Sequence, residues 1–185
     1  ATRDFYYAID LIAAIRKISG EHFYIMVAAY PEFHPRAKNP AADLDNFKRK
    51  VEAGADAAIT QFFYNSDAYI RFLEYCDKLN IHIPIIPGIM PIDNYQKLTR
   101  FAAACDAEIP LWLRKRLAPY VDDPLAMRAV GVEIVGRLCE RLLAEGVPGI
   151  HFYTLNQLEP TVTILQYMGL SVHMQPENIF AFAPN

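Results

Sequence analysis

The chain has 185 residues, 53% hydrophobic and 21% charged, with a formal net charge of −3. That balance suits one folded domain with a sizeable core and excludes intrinsic disorder. The small net charge gives no general pull toward nucleic acid or an anionic membrane, and no apolar run reaches the roughly 18 residues that span a bilayer.

The first predicted element is a helix over 6–18, where Ala8, Leu11, Ile12, Ile15 and Ile18 recur at intervals of three and four. A strand follows over Phe23–Tyr30, then a helix over Asp43–Ala53 with Leu44, Phe47 and Val51 on one face. The second strand is Ala57–Phe63, followed by a helix over Ser66–Leu79. The third strand is Ile83–Ile89 and leads to a helix over Asn94–Cys105. A short inserted helix near Leu111–Leu117 and a long one over Pro124–Glu145 precede the last strand, Gly149–Leu155, and the last helix, Pro160–Met168. The strands are almost continuously apolar and do not alternate, as expected of parallel strands covered on both faces. Tyr30, Gln61 and Gly88 end successive strands about 30 residues apart, the size of a βα unit. An open doubly wound sheet fits this order too, but nothing resembles GxGxxG.

The fold class read from this order is α/β, namely a (β/α)8 TIM barrel of which roughly the last four strands and their helices are present. Such barrels take about 250 residues. Residues 1–170 are expected to be the C-terminal part of that barrel and 171–185 a tail. No start methionine opens the chain, which leads at once into a helix pattern, as a cut chain would. Cys76, Cys105 and Cys139 are odd in number and far apart, with no CxxC or Cys/His cluster. No structural zinc site is expected, and a reduced, cytoplasmic setting is the simple reading. No signal-peptide pattern opens the chain.

In such barrels the chemistry sits where strands end. The ends here read Ala28-Ala29-Tyr30-Pro31-Glu32-Phe33-His34-Pro35, Thr60-Gln61-Phe62-Phe63, Pro87-Gly88-Ile89-Met90 and His151-Phe152-Tyr153-Thr154-Leu155-Asn156. Aromatic, amide and glycine residues dominate, which suits a flat, mostly uncharged ring held by stacking and amide hydrogen bonds. Gly88 is expected to let a planar ligand approach the backbone. No lysine lies in a predicted strand, which argues against a Schiff-base lyase of the phosphate-binding barrel type. No strand-end carboxylate pair suggests a glycosidase. Asp43, Asn46 and Lys50 share one helix face. On spacing alone a solvated face is the simpler reading. The alternative is a clamp in which Arg49 and Lys50 meet phosphate while Asp43 and Asn46 bond hydroxyls.

These strand-end motifs, with Ala42-Asp43-Leu44, Lys48-Arg49-Lys50 and Ala53-Gly54-Ala55, resemble the short bacterial type of the methylenetetrahydrofolate reductase family, in order and spacing, from about Tyr7 to Leu170. The resemblance implies a barrel flavoprotein that binds FAD without a dinucleotide fold. It implies ping-pong hydride transfer from NADH or NADPH, through FAD, to 5,10-methylenetetrahydrofolate, giving 5-methyltetrahydrofolate. By motif, Ala8, Tyr30, His34, Ala37, Asp43, Asn46, Arg49 and Lys50 would contact FAD, with Tyr7 a weaker candidate. Gln61 would bond the pterin and, in turn, the nicotinamide cofactor. Phe101 would stack on either substrate, and Tyr153 and Leu155 would line the same cavity. Gln157 stands where the family usually has arginine on the folate side. Lys97, glutamine in a relative, receives no role.

The family's general-acid glutamate and its flavin-tuning aspartate lie on earlier strands, so no catalytic residue is assigned in this chain and the isolated chain is expected to be inactive. The bacterial type usually prefers NADH, and members are often homo-oligomers. A competing reading is a non-catalytic barrel remnant that serves as a binding or assembly module.

Overall fold

A computed structural model describes Phe5, residues 7–32, His34 and residues 37–170. The tail expected at 171–185 lies outside the described residues. Seven α-helices alternate with short parallel strands among them: α1 (Ala8–Ser19), β1 (Met26–Ala29), α2 (Pro40–Glu52), β2 (Ala57–Thr60), α3 (Ser66–Lys78), β3 (Ile85–Ile86), β4 (Gly88–Ile89), α4 (Tyr95–Cys105), α5 (Leu111–Leu117), α6 (Pro124–Ala144), β5 (His151–Phe152) and α7 (Glu159–Tyr167). No helix among the described residues is long and apolar enough to cross a membrane.

Helix starts follow local chemistry. The Asn39 side chain accepts from Ala42 N at 2.8 Å and Pro40 pre-sets the first helical φ. For this reason α2 begins three residues before the expected start at Asp43. Asn94 caps α4 through Lys97 N at 2.8 Å, and Asp123 with Pro124 starts α6.

β1 pairs in parallel with β2, Ala29 opposite Thr60, and β2 with β3, Ile59 opposite Ile86. β4 pairs in parallel with β5, Gly88 opposite His151. The single strand expected over Ile83–Ile89 is therefore two short ones. Pro87 has no N–H to give to a ladder, so pairing passes there from β2 to β5. The next donor, Gly88 N, bonds the Thr60 hydroxyl at 2.9 Å instead of a backbone carbonyl. The strands thus form a three-stranded sheet, β1-β2-β3, and a two-stranded one, β4-β5, and the described residues do not close a barrel.

The core lies between the strands and their helices. Phe63 stacks on Tyr69 at 5.3 Å, and Phe47 of α2 meets Phe72 of α3 at 5.5 Å. The buried hydroxyls of Tyr69 and Tyr64 donate to Ile85 O at 2.6 Å and Met90 O at 3.1 Å. Each phenol thus keeps its proton in an apolar setting, and burial raises both of their pKa values. At the opposite end of the strands Arg16 of α1 holds Gly54 O at 2.6 Å and Asp56 at 2.5 Å. The bond from Ile25 N, followed by Arg16, keeps the Asp56 carboxyl below the usual range. This bracket fixes α1 against the start of β2 and so positions the N-terminal end of α1 beside α2.

Candidate functional site

Parallel register puts all the strand C-termini on one side, where Tyr30, Gln61, Met90 and Tyr153 follow the last paired residues. Tyr153 continues the β4–β5 ladder through its N–H to Ile89 O at 2.8 Å, while its hydroxyl donates to Thr60 O at 2.8 Å. Gly88 sits beneath this bridge. A Cβ built there would lie 2.1 Å from Thr60 O and 2.6 Å from the Tyr153 ring. The close approach that Gly88 permits is therefore made by the protein's own backbone and ring. Backbone clearance thus explains Gly88 without a planar ligand.

The face is divided. A cavity of about 570 Å³ lies between the first turn of α1 and α2. Ala8 lines it from α1, with Tyr7 just before, His34 and Ala37 from the loop after β1, and Asp43, Asn46, Arg49 and Lys50 from α2. Tyr30 adjoins through its ring, edge-on to His34 at 4.5 Å. The helix stripe thus borders a cavity and is not simply a solvated face. His34 N donates to Asp43 Oδ2 at 2.9 Å, which ties the loop to the helix. Lys50 Nζ donates to Ala28 O at 2.5 Å and lies 5.5 Å from the Phe47 ring centre.

Burial pushes the Lys50 ammonium pKa down, and the nearby Asp43 charge opposes the shift. Burial pushes the Asp43 carboxyl up, against the His34 N–H and the charges of His34 and Lys50. An incompletely compensated, half-buried cation beside amide and carboxylate acceptors is suited to a polar ligand with both an anion and hydroxyls.

A second niche joins Tyr30, Glu32, Gln61, Phe62 and Cys105. Gln61 Oε1 accepts from Phe62 N at 3.0 Å, and among the described residues its amide NH₂ donors have no hydrogen-bond acceptor. Glu32 Oε2 accepts from Glu108 N at 2.8 Å, and its buried Oε1 has no hydrogen-bond partner among the described residues. Desolvation is the main reason the Glu32 carboxyl is raised.

Tyr153, Leu155 and Gln157 line a third, small recess with Lys97 and Asp93. Leu155 and Asn156 have φ of 50° and 60°, so consecutive left-handed residues turn the chain, and Gln157 N closes the turn on Thr154 O at 2.9 Å. Lys97 Nζ reaches Gln157 Oε1 at 2.8 Å and Asp93 Oδ2 at 3.1 Å. The cation at this recess therefore comes from α4, one residue before Leu98, a position that periodicity makes apolar. The sequence named Lys97 but gave it no role; its contact with Gln157, 60 residues away, is visible only in the fold. Phe101 packs, half-buried, against the core, with the Arg100 guanidinium 5.9 Å from its ring centre. Lys97 and Leu98, not Phe101, represent α4 in the recess. Among the described residues no group of three or more His, Cys, Asp or Glu side chains could hold a metal ion.

Comparisons with known proteins agree with this architecture. A family model described as Methylenetetrahydrofolate reductase matches residues 1–169. A 5,10-methylenetetrahydrofolate reductase of Buchnera aphidicola subsp. Acyrthosiphon pisum is 45% identical over 164 residues, 89% of this chain and 56% of that protein. The protein of the same name from Escherichia coli K12 is 42% identical over 164 residues, 89% of this chain and 55% of that protein. Methylenetetrahydrofolate reductase (NADH) 1 of Arabidopsis thaliana is 39% identical over 172 residues, 88% of this chain and 29% of that protein. The chain spans about half the length of the bacterial relatives it matches. Among solved structures, an uncharacterized Clostridium thermocellum protein described as binding two copies of 5-methyl-5,6,7,8-tetrahydrofolic acid has a TM-score of 0.58 at 24% identity. That likeness covers 87% of this chain and 57% of the other, and it bears on the fold alone.

Proposed function

The chain belongs to the methylenetetrahydrofolate reductase family, and on that premise we propose that residues 1–170 are the C-terminal part of a flavin-dependent (β/α)8 reductase, with 171–185 a tail. In this reading the strands upstream of β1 complete the barrel, and the whole protein converts 5,10-methylenetetrahydrofolate to 5-methyltetrahydrofolate in the cytoplasm, as a homo-oligomer. When bound, FAD supplies the hydride transfer, reduced by NADH or NADPH and oxidised by the folate in alternate half-reactions.

The observation that carries this reading is the cavity between α1 and α2, lined by Ala8, His34, Ala37, Asp43, Asn46, Arg49 and Lys50. Its chemistry fits the polar portion of FAD. Lys50 and Arg49 offer cations for the pyrophosphate, and an anion there would offset the desolvation that depresses the Lys50 ammonium. Asp43 and Asn46 offer acceptors and donors for hydroxyls. Ala8 and Ala37 are small and leave room for close approach. Tyr30 presents an aromatic face at the rim, steadied by His34.

On the substrate side, Gln61 directs its amide NH₂ donors toward the carbonyl or ring nitrogen of a pterin or a nicotinamide. Tyr153, Leu155 and Gln157 bound the far side, with Gln157 oriented by Lys97. Phe101 is the proposed stacking partner and would have to turn from its core packing to serve. The general acid is assigned to the upstream half, so the 185-residue chain alone is expected to lack turnover. Purification of the full-length protein tests the reading. A yellow protein that releases flavin on denaturation and reduces the folate with a nicotinamide cofactor is expected. A colourless preparation that FAD cannot reconstitute would overturn it.

A further inference from the structure

A groove of about 520 Å³ between α3, α5 and α6 shares no lining residue with the cavity around Lys50. That volume is within the range of small-molecule sites, roughly 300–1,000 Å³. Trp112, the chain's one tryptophan, forms one wall and is 50% exposed. Arg116 lies one turn further along α5, and Arg137 and Arg141 lie on successive turns of α6.

The guanidiniums are held in place. Glu133 meets Arg137 at 3.0 Å and Arg116 at 3.5 Å, and Asp67 meets Arg141 at 2.5 Å. The nearby Tyr167 hydroxyl, followed by the Glu133 charge, raises the Arg137 guanidinium pKa. The Tyr167 ring itself fits over Gly136, where a Cβ would come within 2.3 Å of it. The groove lining therefore holds three guanidiniums and one carboxylate, Glu133, while Asp67, paired with Arg141, and Glu140, near Arg137, lie outside it. These pairs are solvent-exposed, so a ligand anion can replace a carboxylate at little cost.

From this arrangement we infer that the groove binds a small anion carrying a planar aromatic ring, the class of which a nucleoside monophosphate is the simplest biological case. The ring stacks on the Trp112 indole, and the anion takes paired N–H donors from Arg137 and Arg141.

The test titrates the full-length protein with adenosine monophosphate while recording the part of the tryptophan fluorescence that Trp112→Phe removes. Saturable change is expected. The Arg137→Ala, Arg141→Ala double variant should raise the midpoint about tenfold, the cost of a lost charge-assisted contact. Lys50→Ala should leave it unchanged, because that cavity is separate. Glu133→Gln removes the competing carboxylate and should tighten binding, which keeps the test decisive if the double variant fails to fold. The absence of saturation, a midpoint unmoved by the arginine changes, weaker binding in Glu133→Gln, or inorganic phosphate alone binding as tightly would each overturn the inference.

Discussion

The Tyr153 hydroxyl donates to the Thr60 carbonyl at 2.8 Å, across 93 residues of sequence, and Gly88 lies under both partners. This knot ties the ends of β2, β4 and β5 at the centre of the candidate site. Tyr153→Phe leaves the Thr60 carbonyl without this donor and should cost about 1–2 kcal/mol of stability. Gly88→Ala forces a methyl against a backbone oxygen 2.1 Å away and should cost about 3 kcal/mol, the upper end of overpacking. Chemical denaturation of the two variants checks the order, with Gly88→Ala the more damaging.

Gln61 binds its own loop through the amide oxygen, and its NH₂ donors are the proposed contact to the substrate. Gln61→Glu retains the acceptor for Phe62 N and removes the donors. Folate turnover by the full-length protein should fall at least about tenfold, the value of a buried polar contact, while flavin retention changes little. Steady-state kinetics with flavin absorbance separates the effects. Equal loss of both would mean that the substitution disrupts the fold and not the substrate contact.

The cysteines should differ in reactivity. Burial pushes the thiols of Cys76 and Cys139 up to about 12, and both are buried, whereas Cys105 is partly exposed. At pH 8 an aromatic disulfide reagent should label Cys105 first in the native protein and all three after denaturation. The raised folded values also set the sign of the pH dependence. Below the ordinary thiol value of 9.0 the native and unfolded chains both keep these protons, and the contribution to stability is complete. As pH rises from 9 toward 12 the unfolded chain ionises first, so stability falls. A denaturation midpoint that rose over that window would contradict the burial of these thiols.

The helices and strand centres were legible because each has a local cause. Apolar spacing gives the helix faces, and continuous apolarity gives the strands of a covered parallel sheet. What was not legible is non-local. Pro87 splits the third strand because a ladder donor is missing, a consequence visible only once β2 and β5 flank it. The Thr60–Gly88–Tyr153 knot and the Lys97–Gln157 contact join residues far apart in sequence. Spacing alone left the stripe of Asp43, Asn46 and Lys50 ambiguous, because nothing in α2 reveals that the first turn of α1 lies opposite.

The most direct test of the proposed flavin site is FAD affinity in Lys50→Met, measured by flavin fluorescence on the full-length protein. The methionine keeps an apolar stem over Phe47 and removes the ammonium that faces the cavity. Affinity is expected to fall about tenfold or more, the value of a lost charge-assisted hydrogen bond, with the thermal midpoint nearly unchanged. An FAD affinity equal to that of the wild type, in a folded Lys50→Met protein, would contradict the assignment of the α1–α2 cavity to the flavin.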